Sequence, residues 1–460
     1  MLFRHIQSMR RALCGLTVVL AACVSLASAS ATLLLEEPYG HMGFFTATGH
    51  AAVYLSDVCA DTPLSLRPCA PGETGVVLSR YDGVGGYDWV AIPLIPYLYA
   101  VDRPEDVPLY ADAKMVLSLR DRYRRKYLEN VAPDVKNGET PGGNWYQLVG
   151  SSYDRTIYGF KIATTSAQDA ALIAKLNSSP NRSQFHLVSR NCADFAKDIV
   201  NFYYPKSLHR SVIADVGITT PKQIAKMLVK FSAHHPQLQF SRVVISQVPG
   251  SMPRSSAAHG VVESFLKSKK YIVPSAVASP IFAGCLAAVY VGTGAGRFDP
   301  AHDAMVFNPG SDPEPPIARE ERKAYQQELK VLLANAGTDT SARDVGRTWE
   351  KLQSKAVTDF DDEGGPILQM IIGEEVVRVG ASPGNVLDGN PLPVLARHIL
   401  AARLQAELHH AAPNGISGAE VARDWTLFQQ ALGQGAPVVS AELANPGSTP
   451  APKDLKGDRP

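Results

Sequence analysis

The sequence has almost no excess charge of either sign, since it contains 45 Lys and Arg residues and 44 Asp and Glu residues among 460. It also lacks a dense basic stripe with interleaved aromatic residues, which excludes the usual electrostatic footprint of a nucleic-acid-binding protein. The two His-His pairs, at 234–235 and 409–410, do not have metal-ligand spacing. The glycine-rich stretch 83–86 lacks the lysine and the following helix of a phosphate-binding loop. The sequence therefore predicts no nucleic acid partner, no metal and no cofactor.

Cysteine is scarce, with six residues in the whole chain. Cys59 and Cys69 are ten positions apart in a loop-like segment, and in an oxidising compartment they would form a disulfide. The alternative is two unpaired loop cysteines. Cys285 lies in an apolar run and is expected to be a small buried residue. Cys192 then remains as an unpaired thiol, which is unusual enough in an exported protein to suggest a chemical role.

The N-terminus has the pattern of an export signal over residues 1–31. Arginines precede an uncharged apolar run at 12–27, and Ala29-Ser30-Ala31 provides a small-x-small cleavage site. The run is short for a membrane span, so an uncleaved anchor is the less favoured alternative. Leu20 to Cys23 resembles the bacterial lipoprotein box, which would attach lipid to Cys23. We expect an exported protein located in the periplasm or outer cell envelope, with lipid anchoring at Cys23 as an alternative to a cleaved signal.

Composition and periodicity divide the rest of the chain. A mixed α+β region precedes an apolar connecting segment, a linker at 308–316 rich in Pro and Gly, and a mainly helical C-terminal part. The last residues are rich in Pro, Gly and Ala, a composition typical of disorder. The predicted divisions are the signal peptide 1–31, an α+β domain 36–232, a connecting region 233–307, a helical domain 317–432 and a disordered tail 433–460.

The apolar stretch 271–291 has no charged side chain and is long enough to span a bilayer. It contains Pro274 and Pro280, and three lysines precede it. If the preceding domain is exported, those lysines would lie outside, against the positive-inside tendency. A buried helical hairpin is therefore the preferred prediction, with a true span as the alternative; either this segment or Cys23 would provide membrane association.

Two segments carry residues suited to thiol chemistry. Residues 49–55 (GHAAVYL) alternate as in a strand, with His50 and Tyr54 on one face. A short strand predicted at 185–188 leads into a helix that begins at Cys192. Helix N-terminal amides stabilise a thiolate and could bind an oxyanion.

The helix is expected to direct its thiol inward, because Cys192, Phe195, Ile199 and Phe202 form one stripe. The simpler interpretation is that Cys192 is a buried small residue and His50 a structural histidine. His41 and His186 are alternative partners for the thiol.

The order of GHAAVYL followed by Asn191-Cys192-Ala193-Asp194-Phe195 resembles the permuted branch of the NlpC-type papain-like superfamily, which includes the lecithin:retinol acyltransferase-like proteins. The resemblance covers about residues 36–232. It implies an α+β fold in which an antiparallel sheet packs on the Cys-bearing helix. It also implies Cys192 as nucleophile and His50 as general base and later acid.

The third catalytic position does not follow the family pattern. The strand after the His strand is GVVLSRY, so Ser79 is the nearest orienting residue, with Tyr81 on the same face and Arg80 a poor partner for a protonated His. Asn191 and Tyr54 are the predicted binding residues. The resemblance implies an exported thiol hydrolase or acyltransferase acting on amide or peptide bonds of the cell envelope. The alternatives are a lipid ester hydrolase or acyltransferase, and a non-catalytic envelope binding or scaffolding protein.

Overall fold

The computed structural model describes residues 29–39, 48–335, 342–372, 374–388, 393–411 and 414–433. The apolar run of the predicted signal, Cys14, Cys23, His41 and nearly all of the predicted tail lie outside these residues. Strands and helices both contribute substantially, so the predicted α+β class is confirmed.

A seven-stranded sheet forms the centre of the molecule, in the order β6-β5-β2-β1-β7-β8-β9. All neighbouring pairs are antiparallel except β8 and β9, which are parallel. Its strands are β1 (Ser30–Glu36), β2 (His50–Leu55), β5 (Val76–Ser79), β6 (Val90–Pro93), β7 (Ile157–Ala163), β8 (Ser241–Ile245) and β9 (Met305–Val306). A ribbon of β3 (Val58–Thr62) and β4 (Ser65–Pro68) and a sheet of β10 (Val357–Phe360), β11 (Pro366–Ile372) and β12 (Glu375–Gly380) are separate.

The described helices alternate with these strands. They are α1 (Leu94–Tyr99), α2 (Ala113–Tyr127), α3 (Ser151–Asp154), α4 (Ser166–Ser178), α5 (Cys192–Tyr203), α6 (Pro221–Ser232), α7 (Val261–Lys267), α8 (Lys269–Ala278), α9 (Pro280–Thr293), α10 (Arg319–Asn335), α11 (Ala342–Lys355), α12 (Pro393–His410) and α13 (Gly418–Leu432).

Strand β1 is buried over its whole length because it lies in the middle of the sheet. It pairs with β2 on one side and with β7 on the other. Its first residues, Ser30 and Ala31, belong to the predicted cleavage motif and pair with Ala163 and Ile162 of β7. Cleavage after residue 31 would therefore shorten the central strand by these two residues.

The two faces of the sheet have separate cores. On one face, α4, α5 and α6 cover alternate residues of the strands, including Leu33, Ala51 and Val53. On the other face, Leu34, Ala52 and Val77 belong to a larger cluster that also takes in α1, α2 and α10 to α13. The C-terminal helices therefore share a hydrophobic core with the N-terminal sheet.

The apolar stretch 271–291 forms the helical hairpin of α8 and α9, but the prediction that this hairpin is buried is wrong. Neither helix has a buried residue. Cys285 was expected to be a buried small residue, and it is exposed on α9. The hairpin protrudes because its two helices pack on each other and only its base meets α7 and α6. Within the described residues, no helix is both long and apolar enough to cross a bilayer.

The predicted disulfide is confirmed. Cys59 and Cys69 are bonded across the ribbon of β3 and the end of β4, with their Cα atoms 4.8 Å apart. Cys192 and Cys285 are the free cysteines among the described residues. A disulfide is compatible with export, as the signal pattern predicts.

Candidate active site

Cys192 and His50 line one cavity of about 190 Å³ at the end of β2. Polar and apolar side chains both line the cavity, and they come mainly from the residues after β5, from the segment Asn144–Leu148 and from the loops before α5 and α6. The polar set includes Arg80, Asp82, Asn144, Gln147, Thr219 and Thr220, and the apolar set includes Phe185, Leu187, Ile218, Pro221 and Val261. Two residues singled out from distant segments of the sequence are therefore brought together by the fold.

Cys192 is the first residue of α5, as predicted, and Asn191 is its N-cap. The Asn191 side chain accepts a hydrogen bond from the Asp194 amide at 2.9 Å, and the Asp194 carboxylate in turn accepts one from the Asn191 amide. The side-chain amide of Asn191 also donates to the carbonyls of Leu187 (2.9 Å) and Thr219 (3.0 Å). Asn191 was predicted as a binding residue, and its side chain holds the helix start and two cavity loops in place.

The short strand predicted at 185–188 is wrong. These residues form a turn in which His186 makes an isolated bridge with Arg190, and the Arg190 amide donates to the His186 carbonyl at 2.9 Å. The turn replaces a strand because its backbone groups pair locally and with the Asn191 side chain. His186 is exposed and does not line the cavity.

Three backbone amides, those of Ala51, Cys192 and Ala193, face the Cys192 sulfur. They favour a thiolate, but burial favours the neutral thiol more strongly and raises the pKa of Cys192 to about 11. Cys192 is half-buried as a residue, so the thiol is reached through the cavity. The Cys192 side chain is therefore a protonated thiol at neutral pH.

His50 opens β2 directly after Gly49, which has a φ of +73°. A Cβ at Gly49 would come within 2.1 Å of the Glu36 carbonyl oxygen, so only glycine can lie this close to the backbone of β1. The His50 ring stacks on Tyr81 at 4.1 Å between ring centroids. Burial, and then the positive charge of Arg155, lower the pKa of His50 well below its usual value. His50 is therefore neutral at pH 7.

The thiol and the imidazole reach the cavity from opposite faces of the sheet. Helix α5 packs on the face of Ala51 and Val53, while Tyr81, which stacks on His50, belongs to the core of the other face. His50 Nε2 is buried and has no hydrogen-bond partner among the described residues. The pair thus meets at the end of β2 without a hydrogen bond between sulfur and Nε2.

A chain of buried polar groups lies behind His50. The Tyr81 and Tyr97 hydroxyls are 3.4 Å apart, and the Tyr97 hydroxyl donates to Glu36. Glu36 is the β1 partner of His50 in the strand register, and its carboxylate lies 3.2 Å from the Arg155 guanidinium. Burial nevertheless raises the pKa of Glu36. This chain fixes the ring on which His50 stacks.

The other predicted site residues lie elsewhere. Ser79 pairs with Ala52, and its buried hydroxyl has no hydrogen-bond partner among the described residues. Tyr54 lies four positions beyond His50 on β2, away from the cavity-lining residues. Arg80 forms an ion pair with Asp88 at 2.8 Å and lines the cavity on the side of α5. Tyr81 was named beside Ser79 as lying on the same face of the predicted strand, and it is Tyr81 that contacts the His50 imidazole.

Sequence reasoning missed Glu36, Tyr97 and Arg155. Glu36 carried a weak signal, because it is a carboxylate at the end of the apolar run of β1. Tyr97 and Arg155 carried none, since they come from separate segments that only the fold brings together.

Three carboxylates in the C-terminal region, Glu407, Glu420 and Asp424, lie close enough to hold a cation. Arg403 occupies this position instead, at 2.8 Å from Glu407 and 2.7 Å from Glu420, and is also paired with Asp424. The guanidinium supplies the positive charge that these carboxylates need, so the cluster is an internal ion-pair network.

Comparison of the chain with protein-family models, curated proteins and solved structures finds no match.

Proposed function

We propose that this cavity is the active site of a thiol hydrolase or acyltransferase, with Cys192 as nucleophile and His50 as general base. The observation that carries the proposal is that one cavity is lined both by a helix-start cysteine and by a buried imidazole whose Nε2 has no hydrogen-bond partner among the described residues. A neutral His and a neutral Cys fit general-base activation, in which the proton moves only as the sulfur attacks.

The chemistry follows from these positions. As Cys192 Sγ bonds to the substrate carbonyl carbon, its proton passes to His50 Nε2. The carbonyl oxygen becomes an oxyanion, for which the amides near the sulfur are the nearest donors. The C–N or C–O bond then breaks, and His50 returns the proton to the leaving group. Water or an acceptor alcohol or amine then attacks the thioester and gives its proton to His50. The C–S bond breaks, and His50 passes that proton to the departing thiolate, which restores the thiol.

The proposal agrees with the resemblance to the permuted NlpC-type papain-like proteins. An antiparallel sheet packs on a helix that begins with the cysteine, and the His strand precedes it in the chain. We propose that the central part of the chain has this permuted core. Tyr81 would take the role of orienting His50 by stacking on it, in place of the predicted Ser79.

The substrate proposed first is an amide or peptide of the cell envelope, reached after export, and a lipid ester is the second. The Arg80 and Asp82 side chains in the cavity suit a polar acyl group. A cavity of about 190 Å³ is smaller than typical ligand pockets of roughly 300–1,000 Å³. It would therefore enclose the scissile group and its neighbours while the rest of the substrate stays outside.

The test is turnover of cell-wall peptide fragments and phospholipid esters, with mass spectrometry to detect an acyl group on Cys192. Cys192→Ala should abolish turnover and the adduct, and His50→Ala should slow turnover by about 10²–10⁴-fold. Cys285→Ala is the matched control, because that free thiol is exposed on α9. Unchanged turnover in both the Cys192 and His50 variants would remove the proposal.

A non-catalytic binding function on the same fold is the second candidate. It is favoured by the raised pKa of the thiol and by the missing hydrogen bond between Cys192 and His50. In that case no acyl adduct forms with any substrate, while envelope fragments still bind. Isothermal calorimetry with the same fragments, on wild type and Arg80→Ala, would detect such binding at the cavity.

A further inference from the structure

We propose that the α8–α9 hairpin docks the protein on a membrane by inserting into one leaflet that bears anionic headgroups. The proposal does not rest on the thiol chemistry. The first observation is the exposure of the hairpin: Val277 and Ile281, on either side of its tip, are both 81% exposed. Val273, Phe282 and Val291 are also exposed.

The apolar surface covers all sides of the hairpin. Residues 271–291 have no charged side chain, and neither α8 nor α9 has a buried residue. A docking site for a protein partner would have an apolar face and a polar face. A helix pair that is apolar on its outer sides instead matches an environment that is apolar all round, which is the hydrocarbon of a bilayer.

The dimensions fit one leaflet. Helix α8 has 10 residues and α9 has 14, so their lengths are about 15 Å and about 21 Å. The hydrocarbon core of a bilayer is about 30 Å thick, which makes one leaflet about 15 Å. The hairpin would thus enter the membrane and return on the same side.

Several backbone amides at the tip have partners, which suits a medium without water. The Ser279 amide donates to the Ser275 carbonyl at 2.8 Å, and the Ser279 hydroxyl accepts from the Phe282 amide at 3.4 Å. Pro280 is the first residue of α9 and has no N–H that would need a partner. Unpaired polar backbone groups are what hydrocarbon tolerates least.

The base of the hairpin is basic. Between residues 264 and 298 the chain has no Asp or Glu, and its charged residues are Lys267, Lys269, Lys270 and Arg297. Lys269, Lys270 and Arg297 are exposed, while Lys267 pairs with Glu263 at 2.9 Å. Cations on both sides of the base would lie at the level of the headgroups, where they attract anionic lipid.

The experiment uses the full chain with an environment-sensitive NBD dye on Cys285, which lies on the exposed side of α9. The cysteines at positions 14, 23 and 192 are changed to Ser. Vesicles contain phosphatidylglycerol and phosphatidylcholine, with or without brominated acyl chains. Because the dye reports only on the hairpin, an N-terminal membrane anchor does not produce the signal.

We expect blue-shifted NBD emission on vesicle addition and quenching by bromolipid. Val277→Asp with Ile281→Asp should weaken the response at least about 100-fold, since each carboxylate near the bilayer centre opposes insertion. The matched control is Ile371→Asp with Val376→Asp, an exposed cross-strand pair on β11 and β12, which should respond like wild type. Lys269→Gln and Lys270→Gln should each lower affinity about fivefold on anionic vesicles only.

Two results would overturn the proposal. One is an NBD signal that vesicles do not change; if it is already blue-shifted and the chain is dimeric, a second copy covers the hairpin instead. The other is equal loss of the response in the hairpin variant and in the β11–β12 control.

Discussion

The reactivity of Cys192 is the most direct test of how burial and backbone amides compete at this site. A pKa of about 11 leaves a thiolate fraction of roughly 3 × 10⁻⁴ at pH 7.5, whereas a free thiol near 8.5 has about 0.1. We therefore expect alkylation by iodoacetamide at pH 7.5 to be about 300-fold slower than for a free thiol. The rate should rise about tenfold per pH unit up to pH 10 without a plateau.

The assay follows the mass of the folded protein in a Cys14→Ser, Cys23→Ser, Cys285→Ala background, so that Cys192 supplies the signal. His50→Ala should change the rate little, because the imidazole is neutral and has no hydrogen bond to the sulfur. A fast rate with a plateau below pH 7, lost in His50→Ala, would refute this reasoning. It would mean that a thiolate–imidazolium pair already exists in the free protein.

Three further predictions concern stability. In urea unfolding, Gly49→Ala should lower the free energy of unfolding by at least about 1 kcal/mol more than Gly72→Ala does. Both glycines have positive φ, but only a Cβ at position 49 would clash with a backbone oxygen. Equal losses of stability in the two variants would contradict this. Because the folded state lowers the pKa of His50, the free energy of unfolding of the wild type should fall by up to about 1.4 kcal/mol per pH unit below pH 6.5. His50→Gln should lack this contribution, and parallel pH profiles would refute it. Replacing Cys59 and Cys69 by Ser should lower the free energy of unfolding by about 3 kcal/mol, because the disulfide closes a loop of about ten residues. Thermal unfolding measures this, and an unchanged Tm would contradict it.

Local patterns predicted the elements that carry the site. The alternation in residues 49–55 predicted β2, and the predicted helix start at Cys192 is confirmed. The inward stripe of α5 holds for Phe195 and Ile199, which are buried, while Cys192 and Phe202 are half-buried. These features depend on residues a few positions apart, which is why one sequence suffices.

Features that depend on distant residues were missed. Helix α2 is rich in arginine, but Arg120 is buried against Asp154 at 2.5 Å and Arg124 is buried and paired with Asp134, and both carboxylates lie outside the helix. Each arginine is buried because a carboxylate elsewhere compensates its charge, and periodicity along one helix cannot reveal that partner. The polar chain behind His50 was missed for the same reason.

The central position of β1 has a consequence for how the chain folds. Strand β2 is the next strand after β1 in the sequence, whereas more than a hundred residues separate β1 from its other partner, β7. One edge of this apolar strand therefore has no partner until β7 has been synthesised and has found it. Such long-range pairing is slow, and an unpaired apolar edge is prone to aggregation. The first strand of the sheet to be made thus depends on a partner far along the chain, and the growing chain would need protection of that edge during synthesis.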